Sequence, residues 1–409
     1  MQKSNPDEPA VSVRFEMVAL VATCISLVAL STDIMLPALP MIGDALGIVD
    51  PNGAQLIVFT FFVGFCAGQL LAGPLSDSFG RKPIVYIGLT ILICGCLLSI
   101  VSWSLEVMLI GRILQGLGAA APRIVMIAII RDEYSGRAMA RIMSFVMAVF
   151  ILVPAVAPAL GQVVMIYAGW RMIFLALLVV ALIAFVWFAL RQNETLALER
   201  RLPFSTKQLI IGLKETFGNR VAFGYTMAAG FIFGAFVGYL SSAQQIFQDT
   251  FNKGDSFPLY FAFLALAIGA ASVFNSQLVM KYGMRPLSHS ALIVSIVVSF
   301  AFLPAAMGWF GSFTLPLFMV WALINFFCMG LLFGNFNALA MEPLGHIAGV
   351  AAALIGFLST LVSLPLGVLV AQLFNGTAVP LIAGFAGLGL CALAIVFVTE
   401  KGAIGRASH

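Results

Sequence analysis

Charge is scarce in this sequence. Aspartate, glutamate, lysine and arginine make up 9% of 409 residues, against 62% hydrophobic residues and a mean hydropathy of +1.08. No soluble core needs that proportion, so a water-soluble domain is excluded. Other absences narrow the field. There is no Gly-x4-Gly-Lys-Ser/Thr loop, which argues against ATP as the energy source. The three histidines are scattered, and the six cysteines (Cys24, Cys66, Cys94, Cys96, Cys328 and Cys391) lie in apolar stretches without disulfide or metal-ligand spacing, so no metal site is expected. Alternating segments of ~10 residues are missing, and windows such as 175–190 are apolar on every face, which argues against a β-barrel. The start lacks a charged leader, short apolar stretch and cleavage site, so the first apolar run reads as retained.

What is present is a series of apolar stretches of ~20 residues, each long enough to cross ~30 Å of hydrocarbon. Twelve are predicted, over 15–39, 55–74, 84–102, 106–131, 139–166, 171–190, 221–247, 258–280, 287–308, 314–337, 349–374 and 380–399. An even number puts both termini on one side. Of 21 lysines and arginines, 17 fall on that side, including Lys3, Arg14, Arg137, Arg141 and Arg406, with Arg171 and Lys253 opposite. By the positive-inside rule the termini are cytoplasmic, and the net charge of +4 reflects topology and not nucleic-acid binding. The expectation is an all-α polytopic membrane protein, not an enzyme.

The longest connection divides the chain into a six-helix bundle (1–192), a cytoplasmic linker (193–220) and a second six-helix bundle (221–409). A repeat supports the division: GPLSDSFGRKP (73–83) follows span two and SQLVMKYGMRP (276–286) follows span eight. Leu75, Gly80, Lys82 and Pro83 correspond to Leu278, Gly283, Arg285 and Pro286, while Met280 stands where the first copy has Asp77. Two duplicated halves are the architecture of a secondary transporter, with its substrate site between them near the bilayer midplane. Gly64 and Gly68 in span two, and Gly230, Gly234 and Gly238 in span seven, read as close helix contacts. Pro154 and Pro158, with Gly161 one turn on, make span five a kinked, small-surfaced helix that either bends only or closes against the other half.

Two charges inside spans carry the functional reading. Asp33 lies near the outer end of span one and Arg112 near the outer end of span four, each roughly 10 Å below the outer surface at ~1.5 Å per residue. A buried charge is costly in a bilayer, so both are expected to face protein or water, and each other. The pair either fixes helix packing or serves as a proton switch, since an aspartate at that depth can bind and release a proton. Arg123 is 11 residues beyond Arg112 and shares its helix face; it either snorkels or lines the route as a second cation favouring neutral, zwitterionic or anionic cargo. Met35, Gln115, Tyr239 and Gln245 are further cavity candidates, with Asn335 and Asn337 as weaker ones that can equally be helix–helix hydrogen bonds.

These residues carry a resemblance. GPLSDSFGRKP resembles the signature loop of the major facilitator superfamily, GRILQGLGAA (111–120) its span-four motif, and VPAVAPALG (153–161) its span-five antiporter motif. With STDIMLPALP, IIRDEYSGRAMARIMSF, GWRMIF, ERRLPF and FNSQLV, the full length resembles the bicyclomycin and chloramphenicol resistance subfamily of drug:proton antiporters. The resemblance implies twelve helices, alternating access and export from the bacterial cytoplasmic membrane by a monomer. No cofactor is implied beyond the proton gradient. It assigns Asp33 and Arg112 to coupling, Pro154, Pro158 and Gly161 to an interface that blocks proton leak, and Gly73, Asp77, Gly80, Arg81, Lys82, Arg131 and Asp132 to a cytoplasmic latch, of which the second half carries no intact copy. Met35, Gln162 and Arg123 depart from the subfamily's usual residues. The expected cargo is a small, largely apolar neutral or zwitterionic drug such as an amphenicol or bicyclomycin. The alternative is an endogenous amino acid or metabolite; a non-transporting receptor on the same fold fits an intact coupling pair poorly.

Overall fold

The computed structural model describes residues 15–50, 52–134, 136–201 and 205–405. Lys3, Arg14, Arg406 and the end of ERRLPF lie outside the described residues. The elements are α1 (Phe15–Asp33), α2 (Leu39–Ala45), α3 (Leu56–Phe79), α4 (Arg81–Ile100), α5 (Leu105–Glu133), α6 (Gly136–Ala168), α7 (Arg171–Arg191), α8 (Thr206–Gly218), α9 (Arg220–Gln245), α10 (Phe257–Tyr282), α11 (Met284–Ala306), α12 (Leu315–Met341), α13 (Ala348–Gln372) and α14 (Val379–Thr399). Among the described residues there is no strand. All but the short α2 and α8 coincide with a predicted span. Eleven of these twelve meet the length and hydropathy needed to cross a membrane, and α6, the twelfth, has 33 residues. The protein is a multi-pass, all-α membrane protein.

Span one departs from a single continuous helix. It stops at Asp33, passes through a 3-10 turn at Leu36–Ala38 and resumes as α2. Pro37 and Pro40 sit in the first turns of those two pieces, where a missing N–H is tolerated, and each disfavours helical geometry in the residue before it. Asp33 is therefore the last residue of α1, at a break in the helix. Such breaks leave polar backbone groups for other partners.

The helices pack in two groups. In the first, α3 and α4 flank α5, α1 lies against α5 and α6, and α7 lies against α4. In the second, α13 and α14 flank α9, and α12 lies against α10 and α11. The groups meet along α3 with α13 and α6 with α10. Small residues permit the closest approaches: a Cβ at Gly64 would lie 1.9 Å from the Ile113 carbonyl oxygen, and one at Gly230 would lie 2.9 Å from Val362. The repeat also has a backbone cause. Gly80, between α3 and α4, has φ +104, and Gly283, between α10 and α11, has φ +82, a region costly for any other residue.

Candidate functional site

The start of α1, the end of α14 and the α3–α4 and α10–α11 turns lie at one end of the bundle, called here the terminal end; the other is the far end. Near the far end, Arg112 on α5 is fully buried. Its Nε donates to the Ile57 carbonyl at 3.1 Å and its Nη1 to the Ser31 carbonyl at 2.9 Å and to Gln115 Oε1. The guanidinium lies over the Phe61 ring, 4.9 Å from its centroid. Gln115 in turn donates from Nε2 to the Gly95 carbonyl and Ser99 Oγ on α4. Gln115 is thus an orienting residue for Arg112 and not a cavity wall, a correction the sequence hid because it names no partner across helices.

Asp33 and Arg112 do share a depth, since Arg112 reaches Ser31, two residues from Asp33. Among the described residues the expected direct ion pair is not formed: no salt bridge includes Asp33, while three acceptors hold Arg112 and its buried Nη2 makes no hydrogen bond. The helix break explains this, because the carbonyl of Ser31, two residues before α1 ends at Asp33, faces the guanidinium and occupies its Nη1. Asp33 is 4% exposed. On the other flank, a Cβ at Gly161 would lie 1.7 Å from the Ile34 carbonyl oxygen. The glycine of the span-five motif thus presses α6 onto the residue after Asp33, within its own group, while the next residue, Gln162, donates from Nε2 to the Asp255 carbonyl of the second group at 2.9 Å. Pro158 is buried and Pro154 half-buried on the same helix.

The remaining cavity candidates separate. Tyr239 is fully buried, its ring 4.6 Å from Phe326 and 6.0 Å from Phe261. Met35 is fully buried in the core and lines no open space. Arg123 is half-buried, with its guanidinium 5.3 Å from the Phe65 ring centroid. Beside it the groups meet through aromatic rings: Phe62 of α3 lies 6.0 Å from Phe233 of α9, which continues to Phe236 and Phe333. Asn335 and Asn275 exchange reciprocal side-chain hydrogen bonds at 3.1 and 2.8 Å, joining α12 to α10 as a packing contact. Asn337 bonds its own helix at the Phe333 carbonyl.

Gln245 belongs to a bridge at the far end. Gln55 Nε2 donates to Gln245 Oε1 at 2.6 Å and to the Ala371 carbonyl at 3.2 Å. Gln372 Nε2 donates to Gln55 Oε1 at 3.2 Å and to the Asn52 carbonyl at 3.0 Å, and Asn52 Nδ2 donates to the carbonyls of Gln372 and Phe374. These bonds tie the start of α3 to the ends of α9 and α13, closing the far end between the groups. Asn52, Gln55 and Gln372 were not candidates in the sequence; their signal is amides clustered at span ends, which single-chain periodicity does not pair.

At the terminal end three of the latch residues, Asp77, Arg81 and Asp132, engage one another. Arg81 pairs with Asp77 and, at 2.9 Å, with Asp132, and donates to Ser76 Oγ. Lys82 donates to the Ala189 carbonyl at 3.4 Å, Gly73 faces Ala353 of α13 across the groups, and Arg131 is exposed. Glu194, from the connection after α7, accepts from the backbone N–H groups of Arg81 and Lys82 at 2.9 and 3.0 Å and so caps α4. Burial alone would raise its pKa, but these N–H donors, that of Leu196 and the Arg201 guanidinium outweigh it and hold the carboxyl below the ordinary glutamate range. The second group is not bare. Arg285 pairs with Glu342 at 2.8 Å and Glu400 at 2.9 Å, so its acids come from the ends of α12 and α14 where the sequence repeat showed only Met280.

Comparison with known proteins agrees with this geometry. The family model described as Major Facilitator Superfamily matches residues 21–365. An uncharacterised MFS-type transporter of Bacillus subtilis is 30% identical over 86% of this chain and 87% of its own. A chloramphenicol resistance protein of Pseudomonas aeruginosa is 30% identical over 94% and 90%, and a bicyclomycin resistance protein homolog of Haemophilus influenzae is 28% identical over 90% and 92%. Among solved structures, the xylose transporter of Escherichia coli in a partially occluded, inward-open conformation covers 97% of this chain and 100% of its own, with a TM-score of 0.71 at 13% identity.

Proposed function

This chain belongs to the major facilitator superfamily and is a membrane transporter, and we propose that it is a proton-coupled exporter of small, largely apolar neutral or zwitterionic drugs. The observation that carries the coupling is the buried Asp33, without an ion pair, at the depth of an Arg112 whose Nη2 is also without a partner. Arg112 is held here by backbone carbonyls, an arrangement that suits a protonated Asp33. Loss of the proton creates a carboxylate that draws the guanidinium and disfavours a dry, closed far end. Cargo entering from the terminal end competes with the proton, which makes the exchange antiport.

The basic residues concentrated at the terminal end favour a cytoplasmic location for both termini, in a bacterial inner membrane. The bundles 1–192 and 221–409 are the two moving bodies and 193–220 the linker; the working unit is a monomer. The aromatic rings around Phe62 and Phe233 suit apolar, ring-bearing cargo, and the names of the relatives point to amphenicols and bicyclomycin. Arg123 beside Phe65 favours a second reading, export of an endogenous amino acid or related metabolite bearing a carboxylate.

A cargo panel separates them. Purified protein is reconstituted in vesicles with an internal pH indicator and an imposed pH gradient, then challenged with amphenicols, bicyclomycin and amino acids. Proton movement triggered by the drugs supports the first reading, and movement triggered only by amino acids supports the second. No response to any compound, in vesicles that hold their gradient, contradicts both.

A further inference from the structure

Between α7 and α9 the chain forms α8, which the transport reading does not use. One side of α8 packs on the second group: Gly212 and Thr216 are buried, and a Cβ at Gly212 would lie 2.8 Å from Val350 and 2.9 Å from Leu354. Glu215 pairs with His346 at 2.7 Å, just before α13 begins. The middle of α8 therefore lies beside the first two turns of α13, a helix long and apolar enough to span the membrane. That puts α8 at the level of the headgroups and first acyl carbons, within roughly 10 Å of the end of α13.

The opposite side carries a separate pattern. Lys207, Ile210, Ile211, Lys214 and Phe217 recur at helical spacing along one stripe, and all five are exposed. Ile210, Ile211 and Phe217 are 51%, 42% and 53% exposed, a run of large apolar side chains costly to keep in water. The two lysines have long stems able to reach past those side chains to a charged layer above them. Arg220, exposed at the start of α9, adds a third positive charge, and the acid of α8, Glu215, is turned toward His346.

We propose that α8 is an interfacial helix that inserts Ile210, Ile211 and Phe217 into the leaflet and binds the phosphates of anionic phospholipids through Lys207 and Lys214. The linker between the two groups is then tied to the membrane surface at a fixed depth, and lipid charge bears on how freely the groups move. Charge complementarity selects anionic over zwitterionic lipid: each lysine near such a surface contributes a factor of about five, so the stripe prefers it by about 30-fold at low salt. This inference does not depend on cargo or proton coupling.

Hydrogen–deuterium exchange on the full chain in nanodiscs tests it. Discs of phosphatidylcholine alone are compared with discs of equal parts phosphatidylcholine and phosphatidylglycerol. Amides of 206–218 should exchange several-fold more slowly in the anionic discs. The difference should vanish in high salt and in the Lys207→Gln/Lys214→Gln variant, and persist in Lys207→Arg/Lys214→Arg. Peptides from α13 and α14 report whether each variant is folded. Equal exchange of 206–218 in both discs, or a difference that survives neutralisation of the lysines, overturns the proposal.

Discussion

Removing the amide of Gln55 should open the far end. Gln55 is buried and makes three hydrogen bonds to the second group, through Gln245, Ala371 and Gln372. A protein hydrogen bond contributes about 1 kcal/mol net, and Gln245 and Gln372 regain water once the groups separate. Gln55→Ala should therefore cost the bridged state about 2 kcal/mol relative to the separated one, a shift of about 30-fold in their ratio. Fold stability should change less, because the bonds join two groups and do not hold either together. The assay is electron–electron distance measurement between spin labels at Val49 and Asn375, with Cys94 and Cys391, the exposed cysteines, replaced. The variant should gain a longer-distance population at the expense of the shorter. An unchanged distribution would refute the view that this amide cluster holds the far end shut.

Three further outcomes follow from the same geometry. Glu194→Gln should lower thermal stability in detergent by about 1 kcal/mol through loss of the charged cap on α4. Because the folded state holds this carboxyl below its ordinary range, its contribution is complete above the unfolded pKa and lost as pH falls through the folded one, so the variant should show a flatter acid limb in a melting-temperature series. Gly161→Ala puts a Cβ 1.7 Å from the Ile34 carbonyl oxygen, which neither helix can yield cheaply, and should destabilise by about 1–3 kcal/mol or more in denaturant titration while Gly387→Ala, in open space, does not. Arg112→Lys keeps the charge but cannot bond Ser31, Ile57 and Gln115 together; it should remain folded by size-exclusion chromatography and lose gradient-driven transport.

Span number, the repeat and the depth of Asp33 and Arg112 were legible because a bilayer imposes length and penalises charge. Gly80 and Gly283 were legible for a different reason, a backbone conformation that few residues adopt. Partner choice was not. Arg112 bonds backbone carbonyls, and no side-chain code announces a carbonyl freed by a break after Asp33. Gln245 and Gln115 were recognised as polar in apolar surroundings, yet one closes the far end and the other orients Arg112, a distinction that depends on which helix lies opposite. The second charge cluster was missed because Glu342 and Glu400 lie just beyond the ends of α12 and α14, far in sequence from the loop that carries Arg285. Glu194 sits in the connection after α7, where its acidity reads as solvation until the N-terminus of α4 is seen beneath it.

The most direct test of the account compares wild type, Asp33→Asn and Asp33→Glu in proteoliposomes with an imposed pH gradient, following cargo uphill movement and cargo-triggered proton movement together. Wild type should do both, Asp33→Glu should retain both at reduced rate, and Asp33→Asn should bind cargo but drive neither. Uphill transport by Asp33→Asn equal to wild type would contradict the central claim that this buried carboxyl carries the coupled proton.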